Sequence, residues 1–401
     1  MTNIYAAIEI GTTQTVLAIG EAETGGRLKV TCHAEIPSSG VRKSQIFDIS
    51  QVTQSIRSVL REVERKQSET GDSLTIGNAF LVVSGPHVKA DPYQGTAPVG
   101  SSGKVGTSEI DEVVRSSRLL SLPKDRELLD IVDQAYGLDS LGGIAAPKGL
   151  SGRILKLNTI HIHADANRIN DARTAAGEAH LELRDPLFAA TCAADAVLED
   201  DERRDGVIVL DLGGGSTGCA VYCDKYLVNA GVIGVGGDHV TNDITYAFQT
   251  TLAQAEELKR TEASAVLGAD RSASARVQLP GASPLIEKRT ISRRSLDTVV
   301  NLRLKELLSI VRANLEERDL LHRLNAGVVL TGGGAAMNGL DVLVQRELGL
   351  PVRIGRPVHV DGLADEESPA AFAAVAGALM FAHRNYERKP LLPSLFKGLF
   401  K

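Results

Sequence analysis

One pattern occurs twice in this chain, and it constrains the fold more than any other feature. Ile4-Tyr-Ala-Ala-Ile-Glu-Ile10 reads as a strand, Gly11-Thr-Thr-Gln14 as a turn, and Thr15-Val-Leu-Ala-Ile19 as a second strand. The same order returns in Val207-Ile-Val-Leu-Asp-Leu212, Gly213-Gly-Gly-Ser216 and Gly218-Cys-Ala-Val-Tyr222. In register, Glu9-x-Gly11-x-x-x-Thr15 matches Asp211-x-Gly213-x-x-x-Thr217, about half of the 401-residue chain further on. Such a spacing predicts a duplicated domain, and the length suits two or three domains.

Each copy ends a strand with a carboxylate and follows it with a glycine-rich turn. Glycines let backbone N–H groups approach phosphate oxygens, and Thr or Ser hydroxyls add donors. A carboxylate beside each turn suits the water shell of Mg²⁺, which takes few protein ligands. A third loop, Val328-Val-Leu-Thr-Gly-Gly-Gly-Ala-Ala-Met337, runs from an apolar strand toward a helical segment. Gly213, Gly215 and Gly218 also fit the dinucleotide fingerprint, but that fingerprint opens a helix. Here Cys219 to Cys223 reads as a strand, so the fingerprint is rejected; no G-x-x-x-x-G-K-[ST] occurs either.

Composition narrows the class further. The 44 Lys+Arg against 50 Asp+Glu leave a net charge of −6, which argues against a general nucleic-acid binder. Aromatics are 4% and Trp is absent, so base-stacking platforms are not expected. Cys32, Cys192, Cys219 and Cys223 form no C-x-x-C pair and read as reduced core residues. The first residues carry Glu9 where a signal peptide would be apolar. The longest apolar run, near Ala370 to Ala382, is short of the ~20 residues that span a bilayer. These features point to a cytosolic globular protein.

The ordered motifs resemble those of the actin-like ATPase superfamily and, within it, the FtsA family of bacterial cell-division proteins. The resemblance implies an α/β, actin-like (ribonuclease H-like) fold, with two lobes of duplicated domains around a nucleotide cleft and the small FtsA-type extra subdomain. It implies ATP and Mg²⁺ as ligands. Glu9, Gly11, Thr12, Thr13 and Gln14 resemble the first phosphate motif, and Asp211, Gly213, Gly214, Gly215 and Ser216 the second. By the same resemblance, Glu9 and Asp211 would hold the metal through water. Gly236 and Gly237 fall in the first connecting segment, and Pro369 to Ala378 resembles the second connecting helix. Gly332, Gly333, Gly334, Ala335 and Met337 resemble the adenosine motif. Glu256 and Lys259, in Ala255-Glu-Glu-Leu-Lys259, resemble the helix whose acid reaches the ribose and whose lysine lies over the adenosine.

Tyr136-Gly-Leu-Asp-Ser140 and Pro147-Lys-Gly-Leu-Ser-Gly-Arg153 resemble the FtsA extra subdomain, expected over 85–161. It should contain a helix capped by Ser108. His161 and His163 share a face of a strand and, lacking a third ligand, read as a half-exposed pair rather than a metal site. The other expected units are 1–84 with 162–205 and 366–390 (first lobe), 206–245 with 325–365 (second lobe), and a helical subdomain over 246–324. Arg289, Arg293, Arg294 and Arg303 form a local basic cluster suited to an acidic peptide. By resemblance, Arg294, Asn301 and Arg303 would meet the C-terminal tail of the tubulin-like FtsZ. Two positions depart from the family: Glu9 stands where the superfamily usually has Asp, and Gly218 where FtsA proteins usually have an acid. Both departures lead to an expectation of slow hydrolysis at most.

Residues 391–401 form a basic, apolar tail. Leu392, Leu395, Phe396, Leu399 and Phe400 would make one stripe on a helix, with Lys397 and Lys401 beside it. Such a segment suits an anionic membrane interface. The expected function is therefore an ATP-binding protein that polymerises on the cytoplasmic face of the inner membrane at the division site. There it would anchor the FtsZ ring and recruit other divisome proteins. The alternative is an actin-like ATPase of another role: a pilus-assembly scaffold, a chaperone-type ATPase or a sugar kinase.

Overall fold

Alternating apolar and β-branched residues on either side of each glycine turn make the two repeats fold as hairpins. The computed structural model describes residues 4–22, 27–70, 75–119, 122–267, 275–279, 289–364 and 366–386. In chain order, the first hairpin is β1 (Ile4–Ile10) and β2 (Gln14–Ala22), followed by β3 (Leu28–Pro37). A small hairpin of β4 (Val41–Arg42) and β5 (Gln45–Ile46) leads to α1 (Ile49–Thr70) and β6 (Asn78–Val83). Next come β7 (Lys89–Pro98), α2 (Thr107–Ser117), β8 (Arg126–Leu138), β9 (Leu141–Ile144) and β10 (Ile154–Asp165). The chain then forms α3 (Ala166–Glu178), β11 (Glu182–Phe188), α4 (Ala189–Val197) and α5 (Asp200–Asp205).

The second repeat is β12 (Val207–Leu212) and β13 (Thr217–Cys223), with β14 (Tyr226–Ile233) after it. Then follow α6 (Gly237–Phe248), α7 (Leu252–Thr261), β15 (Arg276–Leu279), β16 (Arg289–Ser292) and α8 (Arg293–Glu317). β17 (Gly327–Thr331), α9 (Leu340–Leu348), β18 (Val352–Ile354), β19 (Val360–Asp361) and α10 (Ala373–Tyr386) complete the described chain.

The duplication is visible in the sheets. The first has strand order β11-β6-β1-β2-β3-β19, and the second, read in the matching direction, β18-β17-β12-β13-β14. β1 pairs antiparallel with β2 and parallel with β6, and β12 pairs likewise with β13 and β17. Even the register is shared: Glu9 lies opposite Val16 and beside Val82, and Asp211 opposite Gly218 and beside Thr331. α1 and α3 cover one face of the first sheet, and α6 to α9 cover one face of the second. The remaining faces meet at α4 and α10, whose alanines are almost all buried. A side chain at Gly377 would overlap the Cys192 carbonyl, so the two helices pack at glycine distance. All four cysteines are free, as their spacing predicts.

A separate four-stranded sheet, β7-β10-β8-β9, stands between β6 and α3 in sequence and carries α2 on one face. Two expectations change here. The cap of α2 is Gly106, not Ser108; the Glu109 carboxylate accepts from the Gly106 and Gly100 N–H groups and closes the turn from behind. His161 and His163 are buried rather than half-exposed: the end of α2 meets His161, and Arg126 meets His163. His161 Nε2 lies 2.9 Å from the Ser117 carbonyl, and His163 Nδ1 accepts from Arg126 Nε at 2.8 Å. An arginine Nε can only donate, so the His163 proton sits on Nε2 and points to Asp91, 2.9 Å away. Among the described residues, no group of three His, Cys, Asp or Glu could hold a metal.

Candidate functional site

The two repeated turns close in the same way and meet tip to tip. Gly11 N–H donates to Gln14 O at 3.0 Å, and Gly213 N–H donates to Ser216 O at 3.0 Å. The first turn offers hydroxyls and the second offers space. Thr13 Oγ1 donates to Asp238 Oδ1 across the gap at 3.2 Å. Any side chain at Gly214 would overlap Thr13 Oγ1, so only glycine lets the lobes come this close. The threonines that the two copies share do not face the gap. Thr15 and Thr217 are fully buried, Thr15 bonded to Ser38 Oγ and Thr217 donating to Val235 O.

The connecting segment braces the second turn. Gly236 caps α6, Gly237 N–H donates to Gly213 O at 3.0 Å, and Asp238 N–H donates to Gly214 O at 2.9 Å. Thr241, one turn into α6, links this brace to α7: its Oγ1 lies 2.6 Å from Glu256 Oε2 and 2.9 Å from Lys259 Nζ. Lys259 also reaches Glu256 at 2.6 Å and the Gly237 carbonyl at 3.3 Å. The Glu256–Lys259 pair thus stands beside the second turn.

The third loop lies against the base of the same turn. Gly332 takes φ +78°, and a Cβ there would sit 2.5 Å from Asp211 Oδ1. The chain then makes a 3₁₀ turn over Gly333–Ala336, held by Ala335 N–H to Gly332 O and Met337 N–H to Gly334 O. Thr331 Oγ1 and Gly332 N–H both donate to Ala370 O, which ties the loop to the start of α10.

Glu9 and Asp211 face the same half-buried space from opposite lobes. Burial first, and the Asp211 charge second, push the Glu9 carboxyl up to about 8, against a hydrogen bond from Ser84. Burial alone pushes Asp211 up to about 6. Two buried carboxyls, one of them held back further by the charge of the other, form a donor set that a divalent cation would relieve. The residues present therefore fit Mg²⁺ and a polyphosphate.

Ser44, Ser84, Asp238 and Thr241 join this site without having been singled out in the sequence. Asp238 directly follows the connecting-segment glycines, so its position was readable; Ser44 and Ser84 arrive through tertiary packing. The basic cluster is dispersed in the fold. Arg289 donates to the Phe248 and Gln249 carbonyls, and Arg293 pairs with Glu262. Arg303 forks onto Asp243 at 2.6 and 2.9 Å and also meets Glu306. Asn301 is buried and donates to Ala265 O, which leaves Arg294 exposed on α8. Leu392, Leu395, Phe396, Leu399 and Phe400 lie outside the described residues. Among the described residues, no helix is long and apolar enough to cross a membrane.

Comparison with known proteins agrees with this architecture. A family model described as cell division protein FtsA matches residues 208–377, and one described as the SHS2 domain inserted in FtsA matches 85–163. The cell division protein FtsA of Escherichia coli (strain K12) is 31% identical, over 96% of this chain and 91% of its own. Among solved structures, the PilM–PilN type IV pilus biogenesis complex superposes with a TM-score of 0.64 at 20% identity, covering 94% of this chain and 98% of that one. MreB5 of Spiroplasma citri bound to ADP gives 0.55 at 14% identity, covering 96% and 99%. The sheet order, the inserted subdomain and the near full-length likeness lead to one assignment: the chain has an actin-like fold and belongs to the FtsA family of cell-division proteins.

Proposed function

We propose that this chain binds Mg²⁺–ATP between its lobes and uses the nucleotide as a clasp that sets a polymer-competent arrangement. The observation that carries the reading is the meeting of two matched turns, with a carboxyl at the base of each. Backbone N–H groups of both turns and the Thr12, Thr13 and Ser216 hydroxyls would bind the phosphates. Glu9 and Asp211 would hold the metal, which when bound supplies positive charge to the phosphate oxygens. Gly332 to Met337 and the Glu256–Lys259 pair would enclose the adenosine. The likeness to MreB5, solved with ADP, supports the nucleotide.

On the same reading the protein assembles into actin-like filaments and links the FtsZ ring to the inner face of the cytoplasmic membrane. The tail of FtsZ, an acidic peptide, would lie across α6 and α8. Arg294 is exposed there, and Tyr246 and Leu302 are 89% and 62% exposed, a mixed basic and apolar surface. The stripe from Leu392 to Phe400 would enter the lipid. Hydrolysis should be slow, since no acid stands at position 218.

The test combines equilibrium titration of Mg²⁺–ATP with co-sedimentation of an FtsZ tail peptide on anionic liposomes. Saturable ATP binding and ATP-dependent peptide recruitment are expected. No binding at millimolar nucleotide would overturn the reading, and turnover above roughly 1 s⁻¹ would favour an enzyme of the same fold.

A further inference from the structure

The turn of the β4–β5 hairpin, which carries Ser44, reaches into the cleft between both lobes. Val41 pairs with Ile46 and Arg42 with Gln45, so Lys43 and Ser44 form a two-residue loop. Both take positive φ, +48° and +57°. Turns of this kind ordinarily use Asn-Gly because L side chains resist that region. A lysine and a serine held there, one exposed and one half-buried, call for a compensating contact.

The contact is made by Ser44. Its N–H donates to Thr12 Oγ1 at 2.9 Å, and its Oγ shares a hydrogen bond with Ser216 Oγ at 3.3 Å. Thr12 belongs to the first repeated turn and Ser216 to the second, so one residue joins both. Three hydroxyls and a backbone N–H thus converge from three separate turns. A Cβ at Gly215 would lie 2.5 Å from Thr12 Oγ1 and 3.2 Å from Ser44 N, which shows how tightly the ring closes. The Ser44 and Ser216 hydroxyls, bonded to each other, can turn their protons to a shared acceptor, and a phosphate oxygen is a stronger one.

Position within the cleft gives the part of the ligand that Ser44 would meet. Lys259 and Gly237 flank Gly213 and Gly214, on the side of α7. Ser44 instead touches Gly215 and Ser216, and its Cβ lies against Gly85, the residue after Ser84, which bonds Glu9. It therefore stands on the carboxylate side of the cleft, away from the Glu256–Lys259 pair. We propose that the Lys43–Ser44 turn is a third phosphate-binding element that reads the terminal phosphate and so distinguishes ATP from ADP. This rests on the ATP reading above. Ser44 N–H and Oγ would donate to the terminal phosphoryl oxygens, and Lys43 would supply the positive charge of the same turn. Without that phosphate, Ser44 returns to Thr12 and Ser216.

The test is a titration of the full chain and of the variants Ser44→Ala, Ser44→Gly and Lys43→Ala with Mg²⁺–ATP and with Mg²⁺–ADP, using a fluorescent nucleotide and competition. Thermal melting without ligand confirms that each variant is folded. Ser44→Gly also relieves the positive φ, so its fold is secure. The wild type is expected to prefer ATP, with Ser44→Ala and Lys43→Ala each weakening ATP about tenfold and ADP less than about twofold. Ser44→Gly, which keeps the N–H, should behave like Ser44→Ala. Equal losses for both nucleotides, or no loss, would overturn the proposal and leave Ser44 as a contact between lobes. A wild type that binds ATP and ADP equally would also overturn it. A wild type that binds neither would instead sink the ATP reading itself.

Discussion

In the first hairpin Glu9 lies opposite Val16; in the second, at the same register, Asp211 lies opposite Gly218. The backbone is the same in both, and what packs against it is not. Val16 is buried in the seam between sheet and helix. A Cβ at Gly218 would already stand 2.9 Å from Ala190 Cβ on α4. The first turn brings threonine hydroxyls to the gap and the second brings glycines that make room for them. Duplication has kept the frame and divided the work: one lobe supplies donors, the other a surface they can approach.

The largest expected effect comes from restoring an acid at the position where the family usually has one. Gly218→Asp would push a carboxylate against Ala190 and beside Asp211, in a space that already holds two suppressed carboxyls. It should cost about 3 kcal/mol of stability by urea denaturation without ligand. A variant within about 1 kcal/mol of wild type would show that α4 can yield and that the two hairpins are less different than their packing suggests.

A slightly smaller effect is expected at the tips. Gly214→Val places a side chain on Thr13 and keeps the lobes apart, so Mg²⁺–ATP affinity should fall about a hundredfold, or about 2.7 kcal/mol. The reciprocal change, Thr13→Gly, removes one donor and its bond to Asp238 without blocking closure, and about a fivefold loss is expected. Similar losses from both would mean that the turns are interchangeable and the division of work is wrong.

Much of this was legible locally, and the exceptions share a cause. Each hairpin is specified by residues within about ten positions of one another, so Glu9 to Gln14 and Asp211 to Ser216 fall where the spacing places them. The burial of His161 and His163 was not legible, because their partners come from the end of α2 and from Arg126 on β8, about which strand alternation says nothing. Arg303 looked available on α8 until α6 brought Asp243 to it. Gly106 displaces Ser108 as the cap because Glu109 reaches back to two N–H groups at once. Ser44 is the hardest case: its turn defies local preference, and the reason lies in Thr12 and Ser216, 32 and 172 residues away.

The repeated threonines give a third test. Thr217 Oγ1 donates to a backbone carbonyl at 2.8 Å, and its removal leaves the Val235 oxygen unsatisfied. Thr15 bonds a partly buried serine that can turn to water. Thr217→Val should therefore cost about 1.5 kcal/mol and Thr15→Val about 0.5 kcal/mol by the same denaturation measurement. Equal costs would indicate that the second hairpin is no more rigidly held than the first.

The smallest effect is the most specific to the paired carboxyls. Glu9 ordinarily titrates at 4.5 and in the fold is raised to about 8, so the folded chain keeps a proton that the unfolded chain releases. Between those values the folded state binds more protons, and its stability must fall as pH rises. Asp211, raised from 3.8 to about 6, adds to the lower part of that fall. Ligand-free protein should thus be most stable near the acidic end of this window, lose stability toward pH 8, and level off above it. Glu9→Gln should flatten the part above about pH 6 and make the part below it shallower, where Asp211 still contributes. Asp211→Asn should move the Glu9 transition to lower pH, because the Asp211 charge is one of the causes that raise it. Saturating Mg²⁺–ATP, by neutralising both carboxylates, should flatten the whole profile. Melting temperatures recorded from pH 5 to pH 9 separate these cases, and a profile unchanged by Glu9→Gln would show that the two lobes do not bring their carboxyls into one electrostatic site.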